Sequence, residues 1–125
     1  LNLFPFYAKR DMMHRHNSVF LGSFQGEKIT GFKSQFTMAW PQEDINGLFA
    51  VEKGTGLHPS CPFEGLRVGN LFATYLLGPV LPLNPGLARA VLGAMGAGHA
   101  PLAFEKEVEA AYQQRLRDFE EKVRA

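Results

Sequence analysis

A single cysteine in 125 residues leaves no partner for an internal disulfide, which removes the stapled small secreted scaffolds from consideration. No apolar run approaches the ~20 residues that a membrane span requires, and no basic-then-apolar leader is read at the start. With the lone thiol, these absences set the expectation of a reducing cytoplasm. Neither sign of charge dominates, with 13 Lys and Arg against 12 Asp and Glu. A nucleic-acid or membrane-surface partner wants a basic stripe, so neither is expected from the whole-chain balance. Zinc-type spacing is thin: His58-x-x-Cys61 is one short pair and His14-x-His16 projects two imidazoles to one side of an extended segment. No second tight pair of the usual spacing accompanies them. Neither a metal nor a cofactor is therefore expected, and there is no internal repeat.

What the chain does have is apolar weight, 46% of residues with eleven Phe among them. That is enough for one domain over 1–125 with a modest core. Leu3 to Tyr7 is apolar but interrupted by Pro5, which suits an edge or entering segment. Ser18 to Phe24 reads as a strand with Phe20 and Phe24 on one side and Val19 and Leu21 on the other. Gln25-Gly26-Glu27 is a hairpin loop, and Lys28 to Met38 returns with Ile29, Gly31, Lys33 and Gln35 on one face. Asn46-Gly47 signals a turn, Leu48 to Val51 a short strand, and Gly54 to Gly65 a loop. Leu66 to Leu77 is the longest strand candidate, near-continuously apolar after Asn70 as in a strand buried on both faces.

The helical signals come last. Asn84-Pro85 suits a helix start, with Asn as cap and Pro in the first turn, and Gly96-Ala97-Gly98 ends that helix. A second runs from near Pro101 through the stripe Phe104, Val108, Tyr112, Leu116, Phe119 and Val123. Glu105, Glu107 and Glu109 at its start and Lys122 and Arg124 at its end complement the helix dipole. Strands first and helices last describe either an α/β domain cut in half or a small α+β domain.

The most specific segment is Ala73-Thr74-Tyr75-Leu76-Leu77-Gly78-Pro79, followed after a few residues by Asn84-Pro85. It resembles the last strand and turn of class I glutamine amidotransferases of the cobyric acid synthase and lipid II isoglutaminyl synthase type, where the pattern runs Gly-Thr-Tyr-Leu-His-Gly-Pro and then Asn-Pro. Gly31-Phe32-Lys33-Ser34-Gln35 resembles that branch's Gly-Phe-Glu-Asn-His segment. Lys53-Gly54-Thr55-Gly56 sits where relatives carry a Gly-Asn-Gly turn, and Glu64-Gly65 matches a Glu-Gly pair. Arg15 parallels an Arg placed before the first hairpin strand. The likeness spans about Arg15 to Met95.

The resemblance implies the C-terminal half of a flavodoxin-like α/β domain. In it, antiparallel hairpin strands precede a buried strand and two C-terminal helices. It implies a parent that hydrolyses glutamine through a Cys thioester and passes ammonia to a ligase or synthetase partner. Arg15, Ser34 and Gln35 would then lie at the glutamine site. The chain departs from the pattern twice. Leu77 stands at the position of the histidine that activates the nucleophile, and no Gly-x-Cys-x-Gly elbow is present. Cys61 lies in a Pro-bracketed loop. An apolar side chain cannot move the thiol proton, and losing a general base costs ~100- to 10,000-fold in rate. This chain alone is therefore expected to be inactive, with His58 as the candidate substitute base in a complete protein. The alternatives are a non-catalytic binding or regulatory module on the same scaffold, or a small α+β interaction domain of accidental likeness. A chain lacking its first half would leave apolar surface for a partner or a second copy, so a homo-oligomer is expected if it stands alone.

Overall fold

Phe20, Phe24, Ile29 and Phe49 are the buried rings and branches around which the strands assemble. The computed structural model describes residues 3–124, and side chains through residue 122. Strand β1 (Phe6–Arg10) begins one residue after Pro5, as the proline's missing donor dictates. β2 (His16–Phe24) and β3 (Glu27–Gln35) form the expected hairpin, in register from His16↔Gln35 to Phe24↔Glu27. Gln25 and Gly26 close it with φ of 49° and 83°. Two positive φ values give the turn whose twist matches the flanking strands.

The return strand is shorter than the alternation predicts. It breaks at Phe36, and β4 (Thr37–Pro41) leaves to pair with β1 in a separate two-stranded ribbon. β5 (Gly47–Lys53) pairs with the other side of β2, with a register shift at Leu21/Gly22. The long strand expected over 66–77 is instead a hairpin, β6 (Phe63–Val68) and β7 (Leu71–Ala73). Gly69-Asn70 supplies the turn, with Gly69 at φ 57°. Apolar continuity masked that turn signal. The five-stranded sheet runs β3-β2-β5-β6-β7, and every pairing described is antiparallel.

Residues 74–77 carry the chain from the β7 edge of that sheet to the β3 edge. There the Leu77 N–H donates to the Phe32 carbonyl at 2.7 Å. Leu76 packs over Gly31, where an added Cβ would lie 3.2 Å from its Cδ1. One sheet face gathers Phe20, Phe24, Ile29 and Phe49, with Phe24 edge-on to Phe49 at 6.0 Å.

The chain divides into two compact units, the first ending at Leu77 and the second beginning at Gly78. Among the described residues the second holds three helices rather than two: α1 (Val80–Leu83), α2 (Pro85–Ala94) and α3 (Glu105–Arg124). Asn84 is the cap residue of α2 with Pro85 at its first position, as the sequence suggests. Its side-chain amide, however, donates back to the Val80 carbonyl at 2.8 Å. Gly96 ends the helix at φ 80°. α3 starts later than Pro101 because Phe104 takes a left-handed φ of 52° outside the helix, its ring largely exposed. Of the expected stripe, Tyr112 is buried and Val108, Leu116 and Phe119 are half-buried, while the Val123 and Arg124 side chains lie outside the described residues. Glu105 and Glu109 both reach Arg89 of α2. The architecture is mixed α and β, antiparallel in its sheets, and no described helix is long and apolar enough to cross a membrane.

Candidate functional site

Lys33 follows Ile29 and Gly31 on the inward face of β3, so strand alternation drives a charged side chain into the core. It is fully buried, as is Glu64 on β6. The two approach to 3.5 Å. Lys33 Nζ donates to the carbonyls of Gly56 at 2.6 Å and Thr55 at 3.2 Å, and sits 5.7 Å from the centre of the Tyr75 ring. Glu64 Oε1 accepts from the Tyr75 backbone N–H at 2.9 Å, and Oε2 accepts from the Thr74 hydroxyl. Each buried charge thus has an ionic partner and further hydrogen bonds, the condition under which buried ions are tolerated. Burial pushes the Lys33 ammonium below its ordinary range, and the Glu64 carboxylate opposes that shift. Burial, and then the charge of Glu64, pushes the Tyr75 phenol up. Lys33 thus ties β3 to the carbonyls of residues 55–56 and to Glu64 on β6.

A separate groove of about 390 Å³ is lined by Lys9, Arg15, His16, Gln35, Trp40 and Pro59 among others. Arg15 is held in place from two sides. Its Nε donates to Ser34 Oγ at 2.8 Å, and its guanidinium lies over the Phe36 ring at 5.6 Å. Ser34 in turn donates to Asn17 Oδ1 at 2.7 Å. The terminal guanidinium nitrogens have no partner among the described residues, which leaves a planar two-pronged donor for a carboxylate. Gln35 Nε2 donates to the Thr37 carbonyl at 2.7 Å, while its side-chain carbonyl is buried with no donor among the described residues. An unsatisfied buried acceptor costs about 1–3 kcal/mol. His16 meets Ser18 Oγ at 2.9 Å, and burial followed by the charge of Lys33 lowers its pKa below the usual 6.5. One wall is Trp40, stacked between Tyr7 and His58 with ring centres 5.5 and 5.4 Å away.

Arg15 and Gln35 both line this groove, and Ser34 lies behind it as the hydrogen-bond partner of Arg15. His58 lies against Trp40, its Nδ1 accepting from the Ser60 N–H at 3.3 Å. Leu77 stands on the edge of β3 opposite Phe32, 46% exposed, in different surroundings from His58. Cys61 is a buried free thiol packed with Ala39 and Leu57. No group of three or more His, Cys, Asp or Glu side chains is placed to hold a metal among the described residues. The Lys33–Glu64 pair escaped the reading of the sequence as a site. The signal was there, since Lys33 falls on the inward register with Ile29. Comparison with protein-family models and with curated proteins gives no match to this chain.

Proposed function

We propose that the chain is the C-terminal portion of a class I glutamine amidotransferase-like protein on a flavodoxin-like scaffold, and that it supplies the amino-acid groove rather than the chemical groups. The observation that carries this reading is convergence. Four of the separated segments bearing the resemblance are Gly31 to Gln35, Lys53 to Gly56, Glu64-Gly65 and Ala73 to Leu77. All are drawn onto the Lys33–Glu64 centre and the β3 edge. In this reading Arg15 takes the carboxylate of glutamine. A ligase or synthetase subunit would receive the ammonia in the complete parent.

At the base position, Leu77 and Phe32 form an apolar pair that cannot carry a proton. That pair favours a second reading, a binding or regulatory module that kept the scaffold and gave up hydrolysis. Glutamate release from glutamine by the longest form of the protein separates the two, with Leu77→His and His58→Ala alongside. The module predicts no turnover in any form, whereas turnover abolished by His58→Ala would assign the base to His58. Calorimetry with glutamine tests the shared premise. Arg15→Ala is expected to weaken binding by about tenfold or more, and failure of the unaltered protein to bind glutamine would overturn both readings.

A further inference from the structure

Between β1 and β2 the chain turns through Asp11-Met12-Met13-His14-Arg15. The two methionines at its tip are 59% and 85% exposed. The turn is not slack: Asp11 Oδ1 accepts from the Met13 N–H at 2.9 Å, and Oδ2 meets His14 Nδ1 at 2.8 Å. These bonds project two adjacent apolar side chains outward from a built turn. Around them stand Lys9, Arg10, His14 and Arg15, and Lys9 and Arg10 are themselves exposed. The only acid of the segment, Asp11, is already engaged by His14. A near-zero charge over the whole chain conceals this local concentration.

We infer that the Asp11–Arg15 turn, with the end of β1, is a docking tip for an anionic lipid bilayer, with Met12 and Met13 entering the interface and Lys9 and Arg10 meeting the headgroups. Two exposed thioether chains prefer the acyl boundary to water, being apolar and flexible enough to pack among lipid tails. Neither signal anchors a protein alone, and the pairing of an apolar wedge with basic residues is what gives reversible surface binding. Charge complementarity selects a bilayer over an uncharged protein groove as the occupant. Lys9 and Arg15 also line the amino-acid groove, but the inference needs neither glutamine nor an amidotransferase scaffold.

Co-sedimentation of the full chain with vesicles tests it, using phosphatidylcholine alone and a phosphatidylcholine–phosphatidylserine mixture. Binding is expected to the mixture and not to the neutral vesicles, and to fade as salt rises. Met12→Ser/Met13→Ser should weaken it by more than about tenfold. Arg10→Ala should weaken it by about fivefold, the share of one cation at an anionic surface. All three changes lie on exposed positions, and circular dichroism checks that the fold is kept. No binding to the mixture overturns the inference, as does binding that the methionine pair does not affect. Light scattering runs beside it: self-association that Met12→Ser/Met13→Ser abolishes, without vesicle binding, would assign the tip to a second copy and refute the bilayer.

Discussion

Separating Lys33 from Glu64 is the sharpest perturbation this chain allows. Both side chains are fully buried, and the ammonium and carboxylate lie 3.5 Å apart. Lys33→Met leaves the Glu64 carboxylate in the core with two donors, Thr74 and Tyr75, and no cation. Glu64→Gln leaves the ammonium with two carbonyls, Thr55 and Gly56, and no anion. Removing one partner of a buried pair typically costs 3–5 kcal/mol. The remaining hydrogen bonds place each single change near the low end, about 3 kcal/mol. At about 4 °C per kcal/mol for a domain of this size, that is a fall of roughly 12 °C in Tm. The double variant Lys33→Met/Glu64→Gln buries no net charge and should cost well under the sum, with a coupling of about 2–3 kcal/mol. Urea unfolding followed by far-ultraviolet circular dichroism measures all four forms. Additive losses, or a single variant costing under about 1 kcal/mol, would refute the pair as an energetic unit. The pH dependence has a definite sign. Burial depresses the folded pKa of Lys33 below 10.5, so the unfolded chain binds that proton more tightly. Stability should therefore rise with pH between the depressed value and 10.5, and Lys33→Met should remove that rise.

Two further outcomes are expected. Gly65→Ala should destabilise by at least about 2 kcal/mol in the same assay, because Gly65 sits at φ 71° and an added Cβ would lie 2.5 Å from the Ala73 carbonyl oxygen; a loss under about 0.5 kcal/mol would contradict the close approach. Below pH 6.5, His16 protonates in the unfolded chain before it does in the folded one, so its contribution is complete above 6.5 and lost as pH falls through the lower folded value; Tm profiles of wild type and His16→Gln should converge at acid pH, and parallel profiles would contradict this sign.

Local chemistry made much of the fold legible. Gln25-Gly26 gave the hairpin, and Asn84-Pro85 and Gly96 the bounds of α2, because each acts through its own backbone geometry. Longer-range competition was hidden. Phe36 ends β3 because residues 37–41 find a different partner in β1, and no pattern within the segment states which strand will be chosen. The stretch after Asn70 reads as one buried strand by composition, yet Gly69-Asn70 turns the chain and β7 is only three residues long. The candidate site divides the same way. Arg15, Ser34 and Gln35 were named by the resemblance, whereas the core charge at Lys33 needs Glu64, Thr55 and Tyr75 to explain it, and these come from three other segments.

The column of Tyr7, Trp40 and His58 has a spectroscopic consequence. Trp40 is the only tryptophan of the chain, and it belongs to the β1–β4 ribbon rather than to the five-stranded sheet. Its two stacking partners come from the ribbon itself and from the loop at His58. Near-ultraviolet circular dichroism of that indole therefore watches the seating of the ribbon against the loop, while the far-ultraviolet signal watches the backbone as a whole. The protein carries its own two-channel optical readout, able to tell a ribbon that has come away from a sheet that has melted.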